Sequence, residues 1–365
     1  MVFWQSTLEI MALSDTFWKG KRVFLTGHTG FKGAWLTLLL KQLGAEVYGY
    51  SREVMSSPNF FMLCNIIQDL QQHTIGDIRN KEALFEALNI AQPDIVLHLA
   101  AQSLVKISYE QPIETYETNV MGTVNLFEAI RQLSSVKVII NVTTDKCYEN
   151  REWVWPYREN EPMGGFDPYS SSKACSELLT ASYRRSFFST KGVLLASARA
   201  GNVIGGGDWA AYRLIPDFMR AVEKNEMLII RFPLSIRPWQ HVLEPLFGYL
   251  SLAEKLYIQG EAFAEAWNFG PSSANECSVE QMLQCLVGFF PQACWSYDSS
   301  TQLHEAHILK LDSHKAQARL NWICRWSIQE ALCKTAQWYQ AWLQGKDMRE
   351  ISLQQLNHYI GARAN

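Results

Sequence analysis

Short apolar runs alternate with longer amphipathic stretches from Lys21 onward, and this rhythm predicts a fold before any motif is considered. KRVFLT (21–26) has the continuous apolar centre of a buried strand, and GFKGAWLTLLLKQLG (30–44) reads as a helix stopped by Gly44. EVYGYS (46–51), HTIGDI (73–78) and DIVLHLAA (94–101) read as further strands, with a helix at NKEALFEALNIA (80–91) between the last two. Helical periodicity covers 110–133, VKVIINVT (136–143) is a strand, a long helix runs over 168–188, and GVLLASAR (192–199) follows as a strand. Parallel strands covered on both faces are apolar throughout rather than alternating. The pattern therefore predicts the α/β class: a doubly wound, Rossmann-like parallel sheet with helices on both faces.

After Gly201 the rhythm loosens. Gly- and Pro-rich loops (GNVIGGGDW, RFPLSIRPWQ) alternate with helices such as AYRLIPDFMRAVEKN, while AEAWNFGP (264–271) looks like one more strand returning to the main sheet. These features predict a nucleotide-binding domain over 17–201 plus about 238–270, and a smaller C-terminal lobe over about 202–237 and 271–345. Residues 1–16 are expected to be a mobile extension.

Composition narrows the class. With 365 residues, 48% apolar and 19% charged, the chain suits a soluble globular protein, and a formal charge of −3 gives no reason to expect nucleic acid or a membrane surface as a partner. The eight cysteines form no C-x-x-C pair, so neither a metal site nor a disulfide framework is predicted. The opening MVFWQSTLEIMALSDTFW carries Glu9 and Asp15 and is a poor signal peptide, which leads to an expected cytoplasmic location.

TGHTGFKG places Gly27, Gly30 and Gly33 at the first strand-to-helix turn. Glycines there let backbone approach a pyrophosphate, and a helix N-terminus offers free N–H groups and a favourable dipole. The spacing resembles that of the extended short-chain dehydrogenases/reductases. The resemblance implies cofactor contacts from Gly27, Thr29, Gly30, Phe31, Lys32 and Gly33, from Asp77 and Ile78 after the third strand, from Leu99, Ala100, Ala101 and Gln102, from Asn119, and from Tyr169 and Lys173. The end of the second strand is ambiguous, since Glu53 favours NAD and Arg52 could take the extra phosphate of NADP.

DPYSSSKACSELL sets Tyr169 and Lys173 four residues apart, on one helix face. A phenol titrates near 10 and becomes a useful base only beside a cation. Lys173 is that cation, Tyr169 the base for a substrate hydroxyl, and Thr144, by analogy, holds the same hydroxyl. VTTDKCYEN (142–150) then adds Asp145 and Lys146 at a strand end. Simple hydride transfer or epimerisation does not need them. Oxidation of a sugar at C4 acidifies C5, after which loss of the C6 hydroxyl wants a base and an acid. Asp145 suits the acid if burial keeps it protonated, and Lys146 suits the base if its pKa falls.

GHTGFKG, AAQSLV, TNVMGTVNLFEA, VTTDKCYENREWVW, PYSSSK, ARAGNVIGGGDW, RLIPD, RPWQHVLEPL and AWNFGP together resemble the CDP-glucose 4,6-dehydratases, from about Phe17 to beyond Tyr339. The resemblance implies bound NAD, CDP-glucose as substrate, CDP-4-dehydro-6-deoxy-D-glucose as product, and a catalytic set of Thr144, Asp145, Lys146, Tyr169 and Lys173. It implies a homodimer or homotetramer, and a place upstream of the dideoxyhexoses of surface polysaccharide. Lys146 is either the C5 base or a stabiliser of the enolate. Expected substrate contacts are Thr144, Asn202, Arg213, Arg231, Arg237 and His241, and the loop around Trp153 and Trp155 could cover the site. The rival readings are a UDP-sugar dehydratase, a C4 epimerase and a non-catalytic NAD(H) sensor.

Overall fold

The computed structural model describes residues 13–14, 16–54, 56–272, 276–298 and 307–361. Its centre is a seven-stranded parallel sheet. The strands are β1 (Arg22–Thr26), β2 (Glu46–Ser51), β3 (Leu70–Ile75), β4 (Ile95–His98), β5 (Val138–Val142), β6 (Leu194–Ala200) and β7 (Ala266–Phe269), in the spatial order β7-β6-β5-β4-β1-β2-β3. Every residue of β4 and β5 is buried, as expected for central parallel strands covered on both faces. The chain winds outward in one direction through β2 and β3 and in the other from β4 to β7. The reversal lies between β1 and β4, where an open α/β sheet leaves a crevice beyond the strand C-termini.

The longer helices include α1 (Phe31–Gln42), α2 (Lys81–Ala91), α3 (Gly122–Ile130), α4 (Pro168–Tyr183), α5 (Leu214–Lys224), α6 (Leu243–Gln259), α7 (Ile328–Leu343) and α8 (Met348–Gly361), and the crevice is lined from α1, α4 and α5 among them. Residues Gly33 to Leu40 of α1 are all buried, on the face away from the sheet as well as toward it. Trp35 stacks on Phe60 at 4.5 Å and donates from Nε1 to the Gly206 carbonyl. α3 and α4 lie together on the opposite face, over an apolar layer that includes Leu126, Phe127, Ile130 and Phe188. Outside the main sheet lie three short strand pairs: Val203–Ile204 with Gln240–His241, Ile236–Arg237 with Cys277–Ser278, and Leu228–Ile230 with Trp295–Tyr297. Among the described residues no helix is long and apolar enough to cross a membrane.

Several boundaries differ from those read in the sequence. The third strand is Leu70–Ile75, not HTIGDI. It is the edge strand, partly exposed along its length, so its apolar signal is weak and Gly76 already lies beyond it. The stretch predicted as one helix over 110–133 comprises Pro112–Tyr116, a π-helical turn at Glu117–Met121, and α3. The extra residue of such a turn re-aims a side chain, here Asn119. Of the extension expected over 1–16, residues 1–12 and 15 lie outside the described residues. Leu13 is buried in the main core and the Ser14 N–H donates to the Glu254 carboxylate, so this part of the segment is anchored.

Candidate active site

One continuous cavity of about 1700 Å³ follows the crevice from the α1 N-terminus to the second lobe. A drug-sized ligand fills roughly 300–1,000 Å³, so this volume suits two ligands side by side. At one end lies the glycine turn. Gly27 has φ +79°, and a Cβ there would sit 2.8 Å from the Ala100 nitrogen; a Cβ on Gly33 would sit 2.1 Å from the Gly27 carbonyl oxygen. Both must therefore be glycine for α1 to begin this close to β1 and β4. Gly30 caps α1 without a side-chain hydrogen bond, leaving the first-turn N–H groups directed at the cavity. Thr29 bonds Ser51 Oγ at 2.7 Å and the Arg52 carbonyl at 3.0 Å, fixing the turn to the end of β2. Asp77 is clasped by Arg79 at 2.7 Å, which holds its carboxyl below the usual range. The donor set and the bare glycine backbone fit the pyrophosphate of a dinucleotide.

Deeper in the cavity, β5 ends and the chain turns into a short 3₁₀ segment, Asp145–Cys147, capped by Thr144. Thr144 Oγ1 donates to Asp145 Oδ1 at 3.1 Å and accepts from the Lys146 N–H at 3.3 Å. On the facing side α4 starts at Pro168, with Asp167 as its N-cap accepting from the Ser170 N–H. This start places Tyr169 and Lys173 one turn apart, both buried. Thr144 is close enough to the Tyr169 phenol to favour its ionised form, and Lys173 Nζ donates to the Val142 carbonyl at 3.2 Å. Thr144, Asp145, Lys146, Tyr169 and Lys173 all line the one cavity.

Burial controls the electrostatics. The Asp145 carboxyl is 1% exposed and Oδ2 has no hydrogen-bond partner among the described residues. Burial raises its pKa against the pull of Lys146, Thr144, Arg237 and Lys32, which favours the protonated acid. Burial also pushes the Tyr169 phenol up to about 12, opposed by Thr144 and Arg213. It brings Lys173 down to about 8, opposed by Glu177 and Cys147. The arrangement can thus supply a neutral carboxylic acid, a phenol waiting for positive charge, and an amine close to its titration point, all beside one ligand space.

The GDP-mannose 4,6 dehydratase family model matches residues 24–257. Over 356 residues the chain is 51% identical to the CDP-glucose 4,6-dehydratase of Salmonella typhimurium, covering 96% of this chain and 99% of that one. The chain belongs to this family of nucleotide-sugar 4,6-dehydratases. A probable dTDP-glucose 4,6-dehydratase of Sinorhizobium fredii is 26% identical over 87% of this chain and 92% of its own length. Among solved structures, dTDP-glucose 4,6-dehydratase from Bacillus anthracis superposes with a TM-score of 0.71 at 20% identity, covering 90% of this chain and 99% of that one. UDP-glucose-4-epimerase from Stenotrophomonas maltophila does so with a TM-score of 0.77 at 18% identity, covering 89% and 99%. At those identities the superpositions establish the shared fold.

In this family member the remaining predicted contacts divide into two groups. Asn202, Arg213, Arg231 and Arg237 line the cavity. Arg213 reaches across from the second lobe, donating to Asp208 at 2.9 Å and to Ser103 Oγ at 3.0 Å. Arg237 is buried and donates to the Ile236 and His307 carbonyls. His241 does not reach the cavity. It is fully buried against Trp326, with ring centroids 4.7 Å apart, and burial drives its pKa down to about 3, so it is a neutral core residue. Asn119 also lies behind the wall, where its amide accepts from the Gln102 N–H and donates to the Gln102 carbonyl and to Ser172. It holds the loop after β4 rather than lining the ligand space. Of the aromatic loop, Arg151 and Glu152 line the cavity, whereas Trp153 stacks on Tyr157 and Trp155 is exposed.

Sequence reasoning did not find Asp208 and Ser103, which flank Arg213, or Glu177 and Arg199, which lie under Lys173. The spacing Tyr169, Lys173, Glu177 continues one helical stripe, and that was the available signal for Glu177.

Proposed function

We propose that the chain is an NAD-dependent CDP-glucose 4,6-dehydratase that converts CDP-D-glucose to CDP-4-dehydro-6-deoxy-D-glucose and water. The observation that carries this reading is Asp145, buried and next to Lys146 on the cavity wall shared with Tyr169 and Lys173, where burial raises its carboxyl pKa. An epimerase has no step for that acid. The full-length likeness to a CDP-glucose 4,6-dehydratase supports the choice of nucleotide.

The glycine turn of Gly27, Gly30 and Gly33 would hold a dinucleotide whose nicotinamide would supply hydride acceptance and return. The protein does the rest. Tyr169, oriented by Thr144 and backed by Lys173, accepts the C4 hydroxyl proton. The resulting 4-ketone acidifies C5, and Lys146 receives the C5 proton or stabilises the enolate. Asp145 protonates the C6 hydroxyl, which leaves as water. Arg213, Arg231, Arg237 and Asn202 are the groups for the two diphosphate charges. Glu53, Asp77 and Glu114 around the end of β2 favour NAD over a cofactor with an additional phosphate, and Arg52 is paired with Glu114 at 3.0 Å. The purified protein should remove one water from CDP-glucose, read by mass, and leave dTDP- and UDP-glucose far less changed. Equal conversion of all three would remove the nucleotide assignment, and conversion of none would remove the activity.

We further infer at least a homodimer. Ile113 and Met121, on the segment before α3, and Leu178, on the neighbouring α4, are 73%, 52% and 60% exposed, an apolar face suited to a second copy. Leu178→Glu with Ile113→Glu should sediment as a monomer; a wild-type monomer would end this reading. The eight free cysteines suit a reducing compartment, and the reading places the enzyme in the cytoplasm.

A further inference from the structure

Directly beneath the ligand cavity, on the far side of Lys173, lies a closed ionic network that the reaction does not use. Glu177 follows Lys173 by one turn of α4 and is almost fully buried. Its carboxylate accepts from Arg199 Nη2 at 2.8 Å, from Ser197 Oγ at 2.7 Å and from Thr143 Oγ1 at 2.5 Å. Arg199, on β6, donates in turn to the Tyr148 phenol at 2.7 Å and the Glu159 carbonyl at 3.1 Å, and Tyr148 donates to Asn268 of β7. Thus the two hydroxyls that end β5 face opposite ways. Thr144 meets the phenol, and Thr143 meets the buried carboxylate.

We propose that Glu177, clamped by Arg199, Thr143 and Ser197, is a positioning residue that serves as the fixed counter-charge of Lys173 and so keeps the tyrosine–lysine pair in its working state. This rests on the dehydratase reading above. An isolated buried ammonium would shed its proton, and Glu177 is the main group opposing that loss. Burial alone would raise the Glu177 carboxyl, yet Arg199 and the two hydroxyls hold it below its usual range. The other groups around Lys173 are Tyr169 on α4, Cys147 after β5, His98 on β4 and Lys32 on α1. His98 is itself held neutral, its pKa at about 3, and Lys32 repels. Cys147 is held as the thiol by burial, so none of these can replace the carboxylate. Arg184 and Arg199 face Glu177.

Glu177→Gln keeps the shape and removes the charge, Glu177→Asp keeps the charge and shortens the reach, and the double change Glu177→Gln/Arg199→Met removes the pair without stranding the guanidinium. The alkaline limb of kcat should move toward acid by about one pH unit, a tenfold loss on that limb, in the first and third variants, and stay near the wild-type position in the second. A second readout needs no turnover. A depressed lysine pKa costs stability below it, and that cost is relieved as pH rises through the folded value. The Tm gap between wild type and Glu177→Gln should therefore narrow as pH climbs through about 8, where Lys173 loses its proton in the wild type. A pH-independent Tm gap with an unmoved limb in an active protein would reduce Glu177 to packing and overturn the inference. An inactive wild type would instead overturn the dehydratase reading, and the Tm comparison would still decide the role of Glu177.

Discussion

Tyr169→Phe is expected to lower CDP-glucose turnover by about 10³- to 10⁴-fold, the upper range for a lost general base, and to abolish the near-ultraviolet absorbance of reduced nicotinamide on mixing with substrate. The phenol is the one group that both meets Thr144 and lies a helical turn from Lys173. It starts from an unfavourable position, because burial holds its pKa at about 12. Deprotonation near neutrality thus needs positive charge brought close, and Lys173 supplies only part of it, its own pKa having fallen to about 8. The positive ring of a bound oxidised nicotinamide would supply the rest, which would couple cofactor binding to base activation. Phe keeps the ring packing and loses only the oxygen, and the Tm should change little. Turnover within tenfold of wild type would take Tyr169 out of the proton transfer, leaving Thr144 or a bound water as the acceptor.

The parts of this site that sequence made legible are those fixed by local geometry. Tyr169 and Lys173 share a face because four residues nearly complete a helical turn, and Thr144 and Asp145 follow a strand whose residues, Asn141 apart, are apolar through Val142. The glycine turn was readable for the same reason, since only glycine allows the contacts that Gly27 and Gly33 make. What was hidden depends on elements far apart in the chain. Glu177 reads as the polar face of a surface helix until Arg199, twenty-two positions on, is seen bonded to it. His241, beside the arginine-bearing loop, looked like an anion contact, but Trp35 and Trp326 enclose it. Asn119 lost its expected place because a π-helical turn, invisible to a helical periodicity, aims it at Gln102. The edge strand β3 was misplaced at its start because exposure on one side erases the apolar run on which the reading relied.

Asp145→Asn should separate the two halves of the reaction. The amide is the same size, can still meet Thr144, and cannot deliver a proton to the C6 hydroxyl. C4 oxidation should then proceed at close to the wild-type rate while loss of water slows by about 10²- to 10⁴-fold, so reduced nicotinamide absorbance should rise and persist in place of turning over. In deuterated water the stalled intermediate should pick up label at C5, because the C5 proton is already labile beside the ketone and Lys146 is unchanged. The raised pKa of Asp145 is what makes the wild-type acid possible. Burial shifts the carboxyl toward the neutral form against the pull of Lys146, Thr144, Arg237 and Lys32, the direction an acid needs. Crowding that pocket should slow the same step with the acid still present. A Cβ at Gly201 would sit 2.5 Å from Pro238 and 3.1 Å from Asp145 Oδ2, so Gly201→Ala must shift Pro238 and press on the carboxyl, misaligning the acid. If Asp145→Asn weakened substrate binding alone, with oxidation and dehydration reduced together and no accumulated absorbance, Asp145 would be a binding group, and the proton for the leaving hydroxyl would have to come from Lys146.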